Sequence, residues 1–238
     1  MLKSRTKQNI LILGSNSDIA TSLAIKLSNY NCNIILHYYK KKDLITKKKL
    51  KFHNFKIKAD LRNKNEIDKM FKILKKKYKN LHFILSNFST YDNPKKINKL
   101  VNYEKVFKTN FFGNINVLIS YIKYFKFSKK KIMIVSSNTS LRGSATLPAY
   151  ASSKASLDNL VKSFAKMYSS KNFQICSVIF GPVLTSKLIL TKGYKWINNL
   201  KKKLHKKKLL STDNTTNFII KKIFTKENIN GKNFKKFF

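Results

Sequence analysis

Short apolar runs alternate along the chain with stretches whose apolar residues recur every three or four positions. A short apolar run bounded by polar residues or glycine is typical of a buried β-strand, whereas the wider spacing is typical of an amphipathic helix. The first run ends at Gly14, which indicates a turn. The predicted strands cover residues 9–13, 33–38, 55–58, 81–86, 131–137 and 173–180.

Helices are predicted between these strands. Ser17 or Asp18 can cap the first helix and Asn63 a later one, because short polar side chains accept hydrogen bonds from the N–H groups of a helix start. A long helical stretch covers about residues 97–127, and a further helix covers 150–169. Residues expected to face the core are Ile19, Leu23, Ala24, Leu27, Ile67, Met70, Phe71, Leu74, Leu157, Leu160, Val161, Phe164 and Ala165.

This alternation predicts an α/β fold, a doubly wound parallel sheet with helices on both faces. Such a sheet binds nucleotides at the carboxyl ends of its strands, so candidate chemistry is expected just after each strand. Residues 1–238 are expected to form one domain, because no linker rich in Ser, Gly or Pro divides the chain.

The charge of the chain is strongly unbalanced, with 51 Lys and Arg residues against 10 Asp and Glu residues and a formal net charge of +41. One interpretation is a surface selected to bind nucleic acid or another polyanion. The other is compositional drift, which enriched Lys, Asn, Ile, Phe and Tyr together. Lysine is spread evenly and arginine, the residue suited to bidentate phosphate contacts, is rare. Drift is therefore favoured, and nucleic acid is not the expected partner.

Nothing in the sequence indicates export or a membrane. The apolar run near the N-terminus is too short for a signal peptide, and no later stretch is long enough to span a bilayer. A cytoplasmic protein is therefore expected. Cys32 and Cys176 belong to no CxxC pair, which favours buried free thiols, and no metal site is predicted.

The first strand-to-helix turn has the features of a phosphate-binding turn. Gly14 permits a tight turn, and the N–H groups at the following helix start can bind a pyrophosphate. The later glycines of such a motif are replaced by Asp18 and Ala20. An ordinary strand-to-helix turn is the alternative.

Tyr150 and Lys154 lie four positions apart on one helix, and therefore on one face. A nearby ammonium favours the phenolate form, which allows a tyrosine to transfer protons near neutral pH. Ser137 ends the fifth strand thirteen residues earlier. In a lysine-rich chain, the alternative for such a pair is a surface helix with a solvated lysine.

These residues, with three further landmarks in order, resemble the short-chain dehydrogenase/reductase family. The landmarks are Asp60 after the third strand, Asn110 in the central helix, and the segment 181–185 after the sixth strand. The resemblance covers nearly the whole chain. It implies a Rossmann-type sheet of about seven strands in the order 3-2-1-4-5-6-7.

The resemblance also implies roles for individual residues. Tyr150 is expected to be the general acid of carbonyl reduction, and the base in the reverse direction. Ser137 is expected to bind the substrate oxygen, Lys154 to bind the nicotinamide ribose and lower the pKa of Tyr150, and Asn110 to hold a water that relays protons. The residues expected at the cofactor are Gly14, Ser15, Asn16, Ser17, Asp18, Ile19, Tyr38, Lys40, Asp60, Leu61, Asn87, Tyr150, Lys154, Gly181, Val183 and Thr185.

The chain departs from the family pattern near the cofactor. The family has Asn-Asn-Ala-Gly after the fourth strand, where this chain has Ser-Asn-Phe-Ser. Phe88 and Ser89 are expected to crowd a position against the cofactor, Asp18 to oppose a second anion at the turn, and Phe180 replaces a common proline. The alternative to an oxidoreductase is therefore a non-catalytic or polyanion-binding protein on the same scaffold.

The residues after the second strand predict the cofactor. An acid there would bind the ribose 2′-hydroxyl of NAD, whereas this chain has Lys40 and Lys41, and its first acid is Asp43. The lysines favour the 2′-phosphate of NADP(H) over NAD(H). The alternative is that they are part of the general lysine excess.

The expected partners follow from the same resemblance. The substrate is expected to be a small or carrier-bound carbonyl compound, such as a 3-oxoacyl thioester or a sugar-pathway compound. A basic segment at about 185–210 is expected to cover the site, and it attracts an anionic substrate or is simply a solvated face. A homodimer or homotetramer is expected through the helices at about 97–127 and 150–169.

Overall fold

Seven parallel strands form a single sheet in the order β3-β2-β1-β4-β5-β6-β7. The structure is a computed structural model that describes residues 7–40, 54–126, 128–169, 172–203 and 209–237. The strands are β1 (Gln8–Leu13), β2 (Cys32–Tyr38), β3 (Asn54–Lys58), β4 (Phe83–Ser86), β5 (Lys130–Ser137), β6 (Phe173–Phe180) and β7 (Asn233–Lys236).

Helices lie between the strands and pack on both faces of the sheet. A short 3-10 helix (Pro94–Lys96) and a π-helical turn (Lys108–Phe112) also occur. The α-helices are α1 (Asp18–Leu27), α2 (Lys64–Lys77), α3 (Leu100–Phe107), α4 (Gly113–Tyr124), α5 (Thr139–Arg142), α6 (Pro148–Met167), α7 (Ser186–Lys203) and α8 (Thr212–Ile223). The predicted doubly wound α/β fold and its strand order are confirmed.

Three predicted elements differ from the structure by two residues or more. The helix predicted at 150–169 covers Pro148–Met167. The fourth strand begins at Phe83 instead of residue 81. The predicted helical stretch 97–127 is divided into α3, the π-helical turn and α4, and it ends at Tyr124. The apolar spacing alone could not show this division, because a π turn inserts one residue per turn without changing residue type.

Apolar side chains form one cluster on each face of the sheet. One cluster packs α2, α4 and α6 against the strands and contains Phe71, Tyr121 and Phe125, all fully buried. The other packs α1 and α8 against the opposite face, around Leu23 and Ile219. Because both faces are covered, the inner stretches of the central strands are apolar, such as residues 10–13 of β1 and 83–85 of β4, as expected for a buried parallel sheet.

The described residues contain no candidate for a membrane-spanning helix or for a metal-binding cluster. None of the helices among them combines the length and apolar character needed to cross a bilayer. The same residues contain no group of three or more His, Cys, Asp or Glu side chains placed to hold a metal ion.

The last strand, β7, is short and lies directly against the turn that follows β6. The Gly181 N–H donates to the Lys236 carbonyl oxygen at 2.9 Å. A Cβ atom at position 181 would press against the carbonyl oxygen of Phe237. A glycine is therefore required here by the close approach of two backbones.

A buried histidine joins the ends of the first three strands. The Gly14 N–H donates to His37 Nδ1 at 3.3 Å, and His37 Nε2 lies 2.9 Å from the carbonyl oxygen of Ala59. The His37 carbonyl oxygen accepts from both the backbone N–H and the hydroxyl of Ser15. Burial lowers the pKa of His37 from 6.5 to about 4, so the ring stays neutral and Nδ1 remains an acceptor.

We expect Gly181→Ala to lower the free energy of unfolding by roughly 1–3 kcal/mol, the usual cost of forcing a methyl group into a packed site. Denaturant unfolding measures this loss. Gly143→Ala is the comparison variant: Gly143 has a positive φ of 71° and open space around it, so this change tests backbone strain without a steric clash. The prediction is wrong if Gly181→Ala unfolds like the unmodified protein.

The histidine also predicts an acid-dependent loss of stability. Between pH 6.5 and about 4, His37 is protonated in the unfolded chain but stays neutral in the folded protein. The free energy of unfolding therefore falls as the pH drops through this window. The difference amounts to about 3 kcal/mol. In His37→Asn, an uncharged acceptor replaces Nδ1, and the loss of unfolding free energy between pH 6.5 and about 4 should be smaller by that amount.

The comparison variant is His82→Asn, because His82 Nδ1 also accepts from a backbone N–H, that of Asn9, and burial also lowers its pKa. The His82 side chain is only partly buried, so the acid-dependent loss of stability should shrink less in this variant than in His37→Asn. Unfolding in denaturant is measured for each variant from about pH 7 to about pH 4. An unchanged loss of unfolding free energy in His37→Asn would contradict the assignment of the acid sensitivity to this ring.

Candidate active site

The predicted site residues gather at one edge of the sheet, because parallel strands bring their carboxyl ends together. Gly14 follows β1, Asp60 follows β3, and Asn87 follows β4. Ser137 ends β5, and segment 181–185 follows β6. The helices that start at this edge add the remaining side chains: Ser17, Asp18 and Ile19 at α1, Asn110 in the π-helical turn, and Tyr150 and Lys154 on α6.

Tyr150 lies in the first turn of α6, where a carboxylate fixes the backbone. Asp92 accepts from the N–H groups of Ala149 at 3.1 Å and Tyr150 at 2.8 Å. This side chain satisfies the free donors of a helix start that begins with Pro148. The Tyr150 side chain is only 8% exposed. Its ring stacks on the ring of Tyr91, with a centroid distance of 4.5 Å.

Lys154 lies one turn along the same helix face and is almost fully buried. Its ammonium donates to the Val135 carbonyl oxygen at 2.7 Å and lies 5.6 Å from the centre of the Tyr150 ring. Burial lowers the pKa of Lys154 to about 8, and the nearby Asp158 opposes that shift. Asp158 in turn accepts from the Ser136 and Ser140 hydroxyls at 2.9 and 2.6 Å.

The electrostatic balance at Tyr150 differs from the expectation for the pair alone. Burial raises the pKa of Tyr150 well above its ordinary value, Tyr91 raises it further, and the hydrogen bond with Ser137 lowers it. The Lys154 ammonium is held on a main-chain carbonyl and faces the ring rather than the hydroxyl. In this geometry the tyrosine keeps its proton at neutral pH, which suits a proton donor.

Asn110 is fully buried in the π-helical turn and ties three elements together. Its Nδ2 donates to the Thr90 carbonyl oxygen and the Ser153 hydroxyl, both at 3.0 Å, and its Oδ1 accepts from the Thr90 N–H at 2.8 Å. Its own carbonyl oxygen accepts from Asn114 Nδ2 at 2.7 Å. The side chain therefore fastens the loop after β4 to α6.

The turn after β1 has the conformation that the motif requires. Gly14 has a φ of 71°, and a Cβ atom there would lie 2.9 Å from the Cα of Phe88. The ring of Phe88 packs beside Gly113 and against the apolar cluster under α4. The close approach is thus between the Gly14 turn and the Phe88 backbone, while the ring lies against the core.

Polar side chains around the turn are already engaged with one another. The Ser17 hydroxyl caps α1 by accepting from the Ala20 N–H, and it also accepts from Asn87 Nδ2 at 2.6 Å. Asp18 Oδ2 accepts from the Ser186 N–H at the start of α7, at 2.5 Å. Thr185 caps α7 through its hydroxyl, which accepts from the Leu188 N–H. The turn and the start of α7 are therefore directly connected.

A cationic pocket lies at the far end of this edge, after β2 and β3. Arg62 contacts both carboxylate oxygens of Asp60, at 2.6 to 3.1 Å, and donates to the Tyr39 hydroxyl at 2.6 Å. This pairing lowers the pKa of Asp60. The Arg62 guanidinium lies 5.1 Å and the Lys40 ammonium 5.5 Å from the centre of the Tyr39 ring. Lys41 and Asp43 lie outside the described residues.

Several of the remaining predicted cofactor residues take part in the packing and hydrogen bonding of the fold. Leu61 and Gly181 are buried, and Tyr38 ends β2, where its carbonyl oxygen accepts from the Ala59 N–H. Val183 pairs with Leu210 in an isolated β-bridge that closes the base of α7. In the predicted covering segment, α7 contains a kink at Gly193, while residues 204–208, including His205, lie outside the described residues.

Sequence reasoning missed Tyr91, Asp92, Arg62 and Asp158. Tyr91 and Asp92 lie in a loop without apolar periodicity, and Asp92 contacts residues 57 and 58 positions away. Arg62 lies two residues after Asp60, and the scarcity of arginine in this lysine-rich chain was a usable signal. Asp158 lies four positions after Lys154, the same helical spacing that singled out Tyr150 and Lys154.

Comparisons with known proteins agree with this geometry. Residues 8–191 match the sequence profile of the short chain dehydrogenase family. No curated protein matches the chain significantly.

Several solved structures share the fold. A short-chain dehydrogenase/reductase from Serratia marcescens has 15% identity and a TM-score of 0.84, with 99% of this chain and 97% of that chain covered. ElxO with NADP bound has 20% identity, the same TM-score, and 98% coverage of both chains.

A short chain dehydrogenase from Burkholderia cenocepacia in complex with NADP has 14% identity and a TM-score of 0.81, with 96% of this chain and 95% of that chain covered. At these identities the structures show a common fold, and the profile match shows the family. The chain belongs to the short chain dehydrogenase family and is an NAD(P)-dependent oxidoreductase.

Proposed function

We propose that this protein reduces a carbonyl compound by hydride transfer from NADPH, with Tyr150 as general acid. The observation that carries the proposal is the buried Tyr150 side chain, which lies one helical turn from the buried Lys154 and whose pKa Ser137 lowers. A buried phenol that keeps its proton can donate it to an oxygen held by Ser137 as negative charge develops there. The cofactor supplies the hydride, and the protein supplies position and protons.

The residues at the edge of the sheet fit a dinucleotide. Gly14 gives the diphosphate close access to the backbone, and the start of α1 favours negative charge. Lys154 lies where it can bind the nicotinamide ribose once its ammonium leaves the Val135 carbonyl. We assign Gly181, Val183 and Thr185, which follow β6, to the nicotinamide end of the dinucleotide.

The cationic pocket supports NADP(H) over NAD(H). Arg62 and Lys40 flank the Tyr39 ring, and an arginine can bind a phosphate through two parallel hydrogen bonds. Asp60 holds the guanidinium in place while neutralising part of its charge. We therefore assign the ribose 2′-phosphate to Arg62 and Lys40, and the adenine to the side of Asp60 and Leu61.

The exposed apolar side chains of α3, the π-helical turn, α4 and α6 support self-association. Leu100, Val101, Phe112, Ile119 and Met167 are between 45% and 72% exposed on α3, the π-helical turn, α4 and α6. Apolar side chains concentrated on neighbouring helices are typical of an interface. A homodimer or homotetramer is proposed on this surface, and a cytoplasmic location stays a prediction.

The substrate proposal rests on the segment that follows β6. Leu190 and Tyr194 on α7 are 87% and 69% exposed, and Lys195, Lys201 and Lys202 are exposed beside them. Apolar and cationic groups together favour a substrate with an acyl part and an anionic part, such as a carrier-bound 3-oxoacyl thioester. A sugar-pathway substrate is the second candidate, because its phosphate groups would meet the same lysines.

A polyanion-binding scaffold protein is the competing function, and the charge of +41 is the observation that favours it. The two functions differ in salt dependence and in cofactor binding. Binding to RNA that weakens steeply with salt, without any dinucleotide affinity, would support the scaffold.

Cofactor titration tests the proposal most directly. NADPH should bind more tightly than NADH when both are followed by cofactor fluorescence at physiological salt. Arg62→Gln should weaken NADPH roughly 10-fold or more, the size of one charge-assisted hydrogen bond, and leave NADH nearly unchanged. Lys72→Gln on the exposed side of α2 removes the same charge away from the site and is the control. Equal dissociation constants for NADH and NADPH would contradict the cofactor preference.

Replacement of the general acid tests the chemistry. Tyr150→Phe should bind NADPH normally and lose carbonyl reduction by roughly 100-fold or more, the usual contribution of a positioned acid. Oxidation of NADPH is followed with acetoacetyl-coenzyme A as a thioester probe and phenanthrenequinone as a reactive dicarbonyl probe. Tyr103→Phe is the control, since Tyr103 packs against the same cluster as Tyr150. Undiminished turnover in Tyr150→Phe would exclude this residue as the acid.

A further inference from the structure

His37 lies between two parts of the proposed cofactor site. Its Nδ1 accepts from the Gly14 N–H at 3.3 Å, and its Nε2 lies 2.9 Å from the carbonyl oxygen of Ala59. Gly14 belongs to the turn proposed for the diphosphate. Ala59 directly precedes Asp60, whose carboxylate holds Arg62. The contacts from Gly14 through the ring to Ala59 form what we name the His37 bridge.

The protonation of the ring follows from these contacts. Nδ1 accepts a hydrogen bond and therefore carries no proton, so in the neutral imidazole the proton is on Nε2. Nε2 then donates to the Ala59 carbonyl oxygen. His37 is 2% exposed, and burial lowers its pKa to about 4. Both hydrogen bonds are therefore present and shielded from water at neutral pH.

The strand order explains why a side chain makes this connection. β2 lies between β1 and β3, and neighbouring strands are about 4.8 Å apart, so the backbones of β1 and β3 are too far apart to hydrogen-bond. The regular pairing of β1 with β2 ends at Leu36, one residue before the histidine. Beyond that point, a ring on the middle strand that carries one acceptor and one donor can bind both neighbours at once.

Each end of the bridge is held by further hydrogen bonds. The His37 carbonyl oxygen accepts from the N–H and the hydroxyl of Ser15, at 3.0 and 2.8 Å. The Ala59 N–H donates to the Tyr38 carbonyl oxygen at 3.2 Å. Because His37 takes the N–H groups of Gly14 and Ser15, we place the diphosphate further along the turn, at the start of α1.

We propose that His37 is a positioning residue for the dinucleotide: its ring sets the separation between the diphosphate-binding turn and the cationic pocket. This inference rests on the proposed binding of NADPH at this edge of the sheet. A dinucleotide occupies both places at once, and the second contact adds its full affinity when the site already has the right spacing. Loss of the bridge should therefore weaken mainly the ligands that span both places.

Two adenosine phosphates test this spacing. Adenosine 2′-phosphate should occupy the cationic pocket alone, whereas adenosine 2′,5′-bisphosphate adds a 5′-phosphate that reaches the turn. Isothermal calorimetry gives the affinity of each compound, and the ratio of the two affinities measures the gain from the second phosphate. Partial unfolding lowers both affinities by the same factor and leaves the ratio unchanged. A purely structural role of His37 would therefore not alter the ratio.

Each of two substitutions should break one arm of the bridge. His37→Asn keeps an acceptor near Gly14 and loses the donor to Ala59, whereas His37→Gln keeps a donor and loses the acceptor. In both variants the affinity ratio should fall roughly 10-fold, the size of one charge-assisted hydrogen bond. His82→Asn is the matched control, because His82 Nδ1 accepts from the Asn9 N–H at the opposite edge of the sheet. Its ratio should equal that of the unmodified protein.

The ring proton gives a second test that needs no ligand. At neutral pH the ring-nitrogen NMR signals of His37, identified by their loss in His37→Asn, should show a proton on Nε2 and none on Nδ1. A proton on Nδ1 would overturn the bridge and leave the proposed cofactor site standing. An unchanged affinity ratio in either His37 variant, or an equal fall in His82→Asn, would overturn the positioning role. If the unmodified protein binds neither adenosine phosphate, the proposed cofactor site fails and the positioning role fails with it.

Discussion

The parallel direction of all seven strands is the constraint on which the site depends. It brings every carboxyl end to one edge, so residues far apart in sequence meet there without a special contact for each pair. The burial of both faces forces the strands to be apolar, and polar chemistry is confined to the loops after them. His37 then connects the first three of these loops at the level of the backbone.

The proposed catalytic residues are held in place by buried polar groups. Asp92 fixes the start of α6, Asn110 fixes the loop after β4, and Asp158 lies near Lys154. Such groups are stable in the interior only when they are hydrogen-bonded, which limits the arrangements that the loops can adopt. The same bonds that satisfy them therefore hold Tyr150 against Tyr91.

Periodicity and topology explain why much of this could be predicted from the sequence. The strands, most helix positions and the location of Ser137, Tyr150 and Lys154 depend on local spacing and on a parallel sheet. The π-helical turn at Asn110, the loop that carries Tyr91, and the pairing of Arg62 with Asp60 depend on tertiary contacts that leave no periodic signal.

The positions of the acidic residues also depend on tertiary contacts. Eight of the nine in the described part of the chain accept a hydrogen bond or form an ion pair: Asp18, Asp60, Glu66, Asp68, Asp92, Asp158, Asp213 and Glu227. A chain in which acids persist mainly where the fold uses them agrees with drift as the origin of its charge.

The contact between Asp18 and the Ser186 N–H joins the phosphate-binding turn to the start of α7. A diphosphate and a carboxylate repel each other at this turn, so a bound dinucleotide changes the free energy of that contact. Linkage is reciprocal. If a bound substrate strengthens or weakens the contact between α7 and Asp18, it changes the affinity for the dinucleotide by the same factor by which the dinucleotide changes the affinity for the substrate. The affinities of the two ligands are thus coupled through one side chain, at a position that sequence comparison would count only as a lost glycine.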